Sequence, residues 1–162
     1  MTIEPVTLIT TRSEFQTALR DALAEAAQRG SPELWLCDQT FADWPLGERA
    51  VIANLEQWAL SRRKLTLIAR HFDEVGRRHP RWVEWRRTWS HIVSCRANPE
   101  FEREEFPVLL LAAGTVSVQL SNQEHYRGRT SHDKADEIHC RELVDAVLQR
   151  SEEAFPATTT GL

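Results

Sequence analysis

The sequence has few residues of several kinds, and each shortage excludes a class of protein. Its three cysteines are an odd number and form no paired disulfide framework. Six glycines and seven prolines in 162 residues exclude a collagen, and no apolar run approaches the roughly 18 to 20 residues that span a bilayer. The start of the sequence has no basic region or apolar stretch typical of a secretory signal. We therefore expect a reduced, cytoplasmic protein with no membrane contact.

Lysine is also nearly absent, since 18 of the 20 basic residues are arginine. Hydrophobic residues make up 41% and charged residues 27%, which is typical of a folded globular domain. Charge is uneven: residues 1–60 carry a net −5, residues 61–99 a net +7 and residues 100–162 a net −6. Because the whole chain carries −4, we expect no strong nucleic-acid binding, and the alternating sign of the segments favours self-association or pairing within the chain.

Three times the sequence passes from a short β-prone run to a helical pattern. Strands are predicted at residues 6–10, 33–38, 65–69 and 91–95, with helices at 13–28, 48–60 and 72–89, the last interrupted at Pro80. Ser13 is the predicted N-cap of the first helix, and Gly30 ends it. A hairpin at 108–120 and a helix at 133–151 follow. These elements predict an α/β fold with a mainly parallel central sheet flanked by helices, in one domain of residues 1–155 with a flexible tail at 156–162.

This order of elements resembles one half of the phospholipase D-like (HKD) superfamily. The chain is also similar to a bacterial domain of unknown function that occurs alone or after acetyltransferase domains. Residues 33–38, 63–68 and 141–152 carry that second likeness. Because halves of the phospholipase D-like fold normally pair, the resemblance implies a homodimer.

The active members of that superfamily carry H-x-K-x4-D-x6-G-S-x-N, in which histidine attacks phosphorus and lysine holds the phosphate. Placing this pattern on the hairpin leaves one match at the last position. Its positions fall, in order, on Glu105, Pro107, Ala112, Gln119, Leu120 and Asn122. Glutamate does not replace imidazole as the nucleophile, and proline has no charge to hold phosphate. The sequence therefore predicts a domain that is catalytically empty for phosphodiester chemistry.

The carboxyl ends of the predicted strands carry the residues with the most versatile chemistry. In open α/β sheets ligands bind at this edge, where Asp38 follows the second strand and Arg70 and His71 follow the third. The hairpin end can close the same edge. The candidate ligand-binding residues are Asp38, Arg70, His71, Asn122, His125 and Arg127. The simpler alternative is that Asp38 and Arg70 pair with each other or cap nearby helices.

Two further patterns have structural explanations. His132, Asp136 and His139 share a helix face with spacing that suits a metal, but a solvated helix face is the favoured interpretation, so no metal and no cofactor are predicted. The only H-x-K of the chain, at residues 132–134, is not expected to be a relocated nucleophile.

The six tryptophans are predicted to be mainly core residues. Trp82, Trp85 and Trp89 form a stripe that favours burial against the sheet over stacking on a ligand, and Trp35 and Trp58 are predicted core. Trp44 alone, in a turn, is predicted to be partly exposed and to be a partner contact.

The leading hypothesis is a noncatalytic phospholipase D-like domain that acts as a binding or regulatory module. One alternative is an enzyme of unrecognised chemistry that uses Asp38, Arg70, His71 and His125 at the sheet edge. Another is a protein-interaction subunit with Trp44 and Arg87 on its contact surface.

Overall fold

The computed structural model describes residues 6–61 and 63–155. The predicted tail at 156–162 and the first five residues of the predicted domain lie outside this range. The strands are β1 Val6–Ile9, β2 Glu33–Cys37, β3 Lys64–Ala69, β4 Val93–Ala97, β5 Val108–Ala112, β6 Val116–Asn122, β7 Arg127–Ser131 and β8 Glu152–Glu153. The helices are α1 Arg12–Arg29, α2 Arg49–Ala59, α3 Asp73–Arg78, α4 Pro80–Thr88 and α5 Lys134–Leu148, with a 3-10 turn at Arg103–Glu105. Within these residues no helix is both long and apolar enough to cross a bilayer.

All eight strands form one sheet in the order β1-β7-β6-β5-β2-β3-β4-β8. The α/β class is confirmed, but the prediction of a mainly parallel sheet is wrong. Only the pairs β2–β3 and β3–β4 are parallel, and the other five neighbouring pairs are antiparallel. The cause is the run β5-β6-β7, whose short turns force antiparallel neighbours and place three strands between β1 and β2.

Both faces of the sheet are covered by helices over its centre. The larger core lies between the sheet and α1 to α4, and it includes Phe15, Trp58 and Trp82. The smaller core lies on the opposite face, where Cys140, Val144 and Val147 of α5 pack on β2, β3 and β5. Burial on both sides explains why β5, with the sequence VLLLA, contains five consecutive buried apolar residues and no alternation.

The ends of the helices follow local rules, with one correction. The N-cap of α1 is Thr11 and not Ser13, because the Thr11 hydroxyl accepts the Glu14 N–H at 3.1 Å. Gly30 ends α1 with φ 66°, in the left-handed region where glycine carries no Cβ penalty. The predicted interruption at Pro80 is confirmed, since α3 ends at Arg78 and α4 begins at Pro80.

The predicted burial of the tryptophans is confirmed for Trp35, Trp58, Trp82 and Trp85. The prediction that Trp44 is exposed is wrong. Trp44 is 2% exposed, because its ring fits edge-on between Phe15 and Phe41, with centroids 5.9 and 5.0 Å away. A contact surface based on Trp44 is therefore not available in this fold.

Candidate functional site

A cleft of about 570 Å³ opens at the carboxyl end of β2. Here β2 has a parallel neighbour on one side, β3, and an antiparallel neighbour on the other, β5, so the connections leave the sheet in different directions. The cleft is lined by Phe15, Asp38, Gln39, Thr40, Asp43, Arg103, Glu104, Val108, Leu120, Ser121, Asn122, Gln123, Glu124 and Tyr126. The sheet edge at which the sequence predicted ligand binding is therefore concave in the structure.

Asp38 lines this cleft and organises the loop that follows β2. Its Oδ2 accepts the backbone N–H groups of Thr40 at 3.0 Å and Phe41 at 2.7 Å. These bonds hold Phe41 at φ 62°, a left-handed conformation that costs a bulky residue energy. Burial raises the pKa of the Asp38 carboxyl, while the two backbone bonds oppose that rise.

His79 stabilises the same loop through a hydrogen bond to the backbone of Phe41. Its Nε2–H donates to the Phe41 carbonyl oxygen at 2.8 Å, which requires a proton on Nε2. The side chain is 6% exposed, and burial lowers its pKa. Asp38 and His79 thus fix one wall of the cleft through the backbone of Phe41.

The opposite wall is the turn between β6 and β7, which is joined to Asp43. The Tyr126 hydroxyl donates to Asp43 Oδ2 at 2.5 Å, and Arg12 donates to Asp43 Oδ1 from Nε at 3.2 Å and from Nη2 at 3.0 Å. Burial and this bond to Asp43 raise the pKa of Tyr126. Asn122 Oδ1 accepts the His125 N–H at 3.0 Å and closes the turn.

Two glutamines that line the cleft join its two walls. Gln39 Nε2 donates to Gln123 Oε1 at 2.6 Å, and Gln123 Nε2 donates to the Phe106 carbonyl oxygen. Sequence reasoning grouped the stretches that contain Gln39 and Gln123 but did not single out either residue. It also missed Asp43 and Tyr126, because their pairing joins residues 83 positions apart and leaves no local pattern.

The six residues proposed from the sequence are distributed over several surfaces. Asp38 and Asn122 line the cleft together. Arg70 and His71 line a second hollow of about 400 Å³, where Arg70 donates to the carbonyl oxygens of Pro99 and Phe101. Arg127 lines a third hollow, and His125 is exposed in the turn between β6 and β7.

The alternative was that Asp38 and Arg70 pair with each other or cap nearby helices, and both instead bond to backbone groups of loops. Asp38 caps local backbone N–H groups, while Arg70 bonds to backbone carbonyl oxygens, so the two side chains do not pair. The enzyme hypothesis needed Asp38, Arg70, His71 and His125 in one place. The structure puts Asp38 in the cleft and Arg70 with His71 in the second hollow.

Two of the three residues with metal-like spacing bind other groups, and the third, His139, is exposed. His132 Nε2 contacts both carboxylate oxygens of Glu25, at 2.9 and 3.0 Å. Asp136 accepts from the Ser131 hydroxyl at 2.6 Å and from Arg129. Across residues 6–61 and 63–155, no group of three or more His, Cys, Asp and Glu side chains is arranged to hold a metal ion.

Similarity to known proteins is found in structure and not in sequence. No family model matches the chain, and no curated protein matches it. TrmBL2, an archaeal chromatin protein with a novel mode of DNA binding, superposes with a TM-score of 0.67 at 13% identity, over 95% of this chain and 55% of its own. The chain thus spans only about half of TrmBL2.

Two bacterial structures match over nearly their whole length. NucT from Helicobacter pylori has a TM-score of 0.59 at 9% identity, covering 92% of this chain and 98% of its own. Nuc from Salmonella typhimurium, a phospholipase D family member, has a TM-score of 0.57 at 9% identity, covering 92% and 97%. Because the identities are low, these likenesses establish the fold alone.

The likeness to TrmBL2 corrects one expectation, that of no strong nucleic-acid binding. A DNA-binding chromatin protein contains this arrangement of strands and helices. Net charge was a poor guide because a nucleic acid contacts one local surface and not the average of the chain. The chain has a phospholipase D-like α/β fold.

Proposed function

We propose that this chain is a noncatalytic phospholipase D-like domain that serves as a binding module, with the cleft beside Asp38 as its binding site. One observation carries the proposal. No histidine, lysine or cysteine is among the described residues that line the cleft. In the pattern H-x-K-x4-D-x6-G-S-x-N the nucleophile is a histidine and the group that holds the phosphate oxygens is a lysine, and the lining supplies neither.

The positions that the catalytic pattern requires support the same proposal. Glu105 stands where histidine is needed, in the exposed 3-10 turn, and Ala112 stands where aspartate is needed, fully buried in β5. The only H-x-K of the sequence begins at His132, before α5, and His132 is paired with Glu25 of α1. The cleft therefore has the shape and the polar groups to bind a ligand, but it lacks the reacting groups of the catalytic pattern.

We expect no hydrolysis of a chromogenic phosphodiester such as bis(p-nitrophenyl) phosphate by the purified protein. The rate of hydrolysis with the protein present should equal the rate in buffer, and the variants Asn122→Ala and His71→Ala should give the same rate. Both variants remove side chains outside the core, so the fold provides no reason for them to differ. Turnover that disappears in either variant would overturn the proposal.

A second candidate function, nucleic-acid binding, is favoured by the TrmBL2 likeness and by one surface. Arg77 of α3 is 72% exposed, Arg78 is 55% exposed, and Arg81 of α4 is exposed beside them. Arginine binds phosphate through two parallel N–H bonds. Glu74 reduces the positive charge of this surface, because it pairs with both Arg77 and Arg78.

Fluorescence anisotropy with a labelled DNA duplex tests this second candidate. If each of the three arginines binds one phosphate, affinity should fall about 40-fold between about 50 and 200 mM salt. The double variant Arg77→Glu/Arg81→Glu should abolish binding, while Arg29→Glu, a charge reversal on α1 away from this surface, should leave it unchanged. No binding at the lower salt concentration would refute this function.

A further inference from the structure

The two edges of the sheet differ in their capacity to accept another strand. One edge is β8, whose two residues, Glu152 and Glu153, carry charge that discourages pairing. The other edge is β1, whose sequence VTLI has no charge and no proline. Among the described residues β1 pairs only with β7, and alternate residues of an edge strand direct their N–H and C=O groups away from the sheet. An extended chain can therefore add to β1 as a further strand.

A groove of about 440 Å³ lies beside this edge, between β1 and α1. Its exposed lining residues include Thr7 and Leu8 of β1, and Glu14 and Asp21 of α1. Leu8 is 72% exposed, and a strand added beside β1 would cover it through a cross-strand contact. The groove shares no lining residue with the cleft of the proposed function, so it is a separate surface.

The charge of the groove selects the sequence of the added strand. Three carboxylates of α1 line it, those of Glu14, Asp21 and Glu25, and no lysine or arginine lines it among the described residues. Glu25 is paired with Arg29. Glu14 accepts from the backbone N–H and the hydroxyl of Thr10, at 2.7 and 2.8 Å, and these neutral donors orient the carboxylate without neutralising it. Basic side chains are therefore favoured on the side of the added strand that faces α1.

The spacing of the carboxylates fits side chains that alternate along a strand. Glu14 and Asp21 lie about 10 Å apart along the axis of α1. Side chains on one face of a strand recur at every second residue, about 7 Å apart. Basic residues at alternate positions therefore reach both carboxylates, whereas basic residues adjacent in sequence point to opposite faces of the sheet.

A second copy of this chain fits the groove less well. Antiparallel pairing of β1 with the same strand of another copy is two-fold symmetric, so it brings the same face of both molecules together. The acidic face of each α1 would then lie close to that of the other, and like charges repel. A basic segment of another protein meets no such repulsion.

We propose that the groove between β1 and α1 binds an extended segment of a partner protein, which adds to the sheet as a strand beside β1. The segment carries basic side chains at alternate positions, next to Glu14 and Asp21. This inference goes beyond the proposed function, and neither depends on the other because the two surfaces are separate.

Fluorescence anisotropy with the labelled peptide Arg-Val-Arg-Val-Arg tests the charge pattern. We expect saturable binding, about tenfold tighter than that of Arg-Arg-Arg-Val-Val, which has the same composition without the alternation. The double variant Glu14→Gln/Asp21→Asn should weaken binding of the alternating peptide about tenfold at low salt, because each exposed charge pair contributes little by itself. Asp145→Asn, a matched removal of charge at an exposed position on α5, should bind like the unaltered protein.

Two N-methylated forms of the alternating peptide test backbone pairing. Methylation of the N–H groups on one edge of the peptide should abolish binding, while methylation on the other edge should leave binding unchanged, because only one edge of a strand faces β1. Equal binding by the two forms would mean that charge alone holds the peptide, and the inference would be wrong.

The inference also fails if the alternating peptide does not bind, or if the two peptides of equal composition bind equally. Because Glu14 bonds to Thr10, Asp21→Asn alone is measured too, and it should weaken binding without changing the melting temperature. A protein that sediments as a dimer, and as a monomer after Leu8→Arg, would have a second copy at β1, which contradicts the inference.

Discussion

Replacing Trp44 with alanine is expected to lower the free energy of unfolding by about 3–5 kcal/mol. Trp44 is 2% exposed and packs edge-on against Phe15 and Phe41, so its removal leaves a large cavity directly behind the cleft. Urea unfolding followed by circular dichroism measures the change.

Trp89→Ala is the matched control. Trp89 ends α4, is only partly buried, and donates its Nε1–H to Glu56 Oε2 at 2.8 Å. Its loss should cost about 1.5 kcal/mol, the low end for a hydrogen bond to a charged group, because this bond is exposed. If both variants lose the same stability, Trp44 is not a core residue, and the protein-interaction hypothesis that used it as a surface contact regains its basis.

The second large effect is expected for Gly128→Ala in β7. A Cβ at this position would overlap the carbonyl oxygen of Gln119 and the Cα of Leu120 on β6. Backbone atoms cannot move aside as a flexible side chain can, so the strands must separate or slip in register. We expect a loss of about 2–3 kcal/mol, typical of forced overpacking, in thermal or urea unfolding.

This variant also affects the cleft, because β6 and β7 carry the turn that holds Asn122 and Tyr126. The control is Gly114→Ala in the β5–β6 turn, where a Cβ meets no atom and only the strain of φ +70°, about 1 kcal/mol, is expected. A Gly128→Ala protein as stable as Gly114→Ala would mean that β6 and β7 do not approach this closely.

The fold and the side chains of the cleft make separate contributions to what the cleft can bind. The fold places a concave site at the end of β2 whatever the side chains are. The side chains then decide the ligand, and those that line this cleft are mainly carboxylates, amides and hydroxyls. A likeness in backbone to NucT and Nuc therefore carries no activity to this chain.

Local rules explain what could be predicted about the fold. The periodicity of apolar residues identified the helices between residues 12 and 88, the hairpin around Gly114 and the last helix. The strand β7, with the sequence RGRTS, was missed because it has no apolar side chain and only one buried residue. The strand β8 was missed because it is two residues long.

The sequence by itself determined the helices, most of the strands, the α/β class, the burial of Trp82 and Trp85, and the proximity of the Asp38 and Asn122 segments, because each follows from periodicity or from strand ends. Only the tertiary structure decided the order of the strands, the burial of Trp44 and the junction of Arg12, Asp43 and Tyr126. The direction of β1 matches that of β2, as a strand-helix-strand unit requires, but the β5-β6-β7 meander takes the place beside β2. Adjacency in a sheet depends on competition between distant segments for the same edge, and no local pattern encodes the outcome.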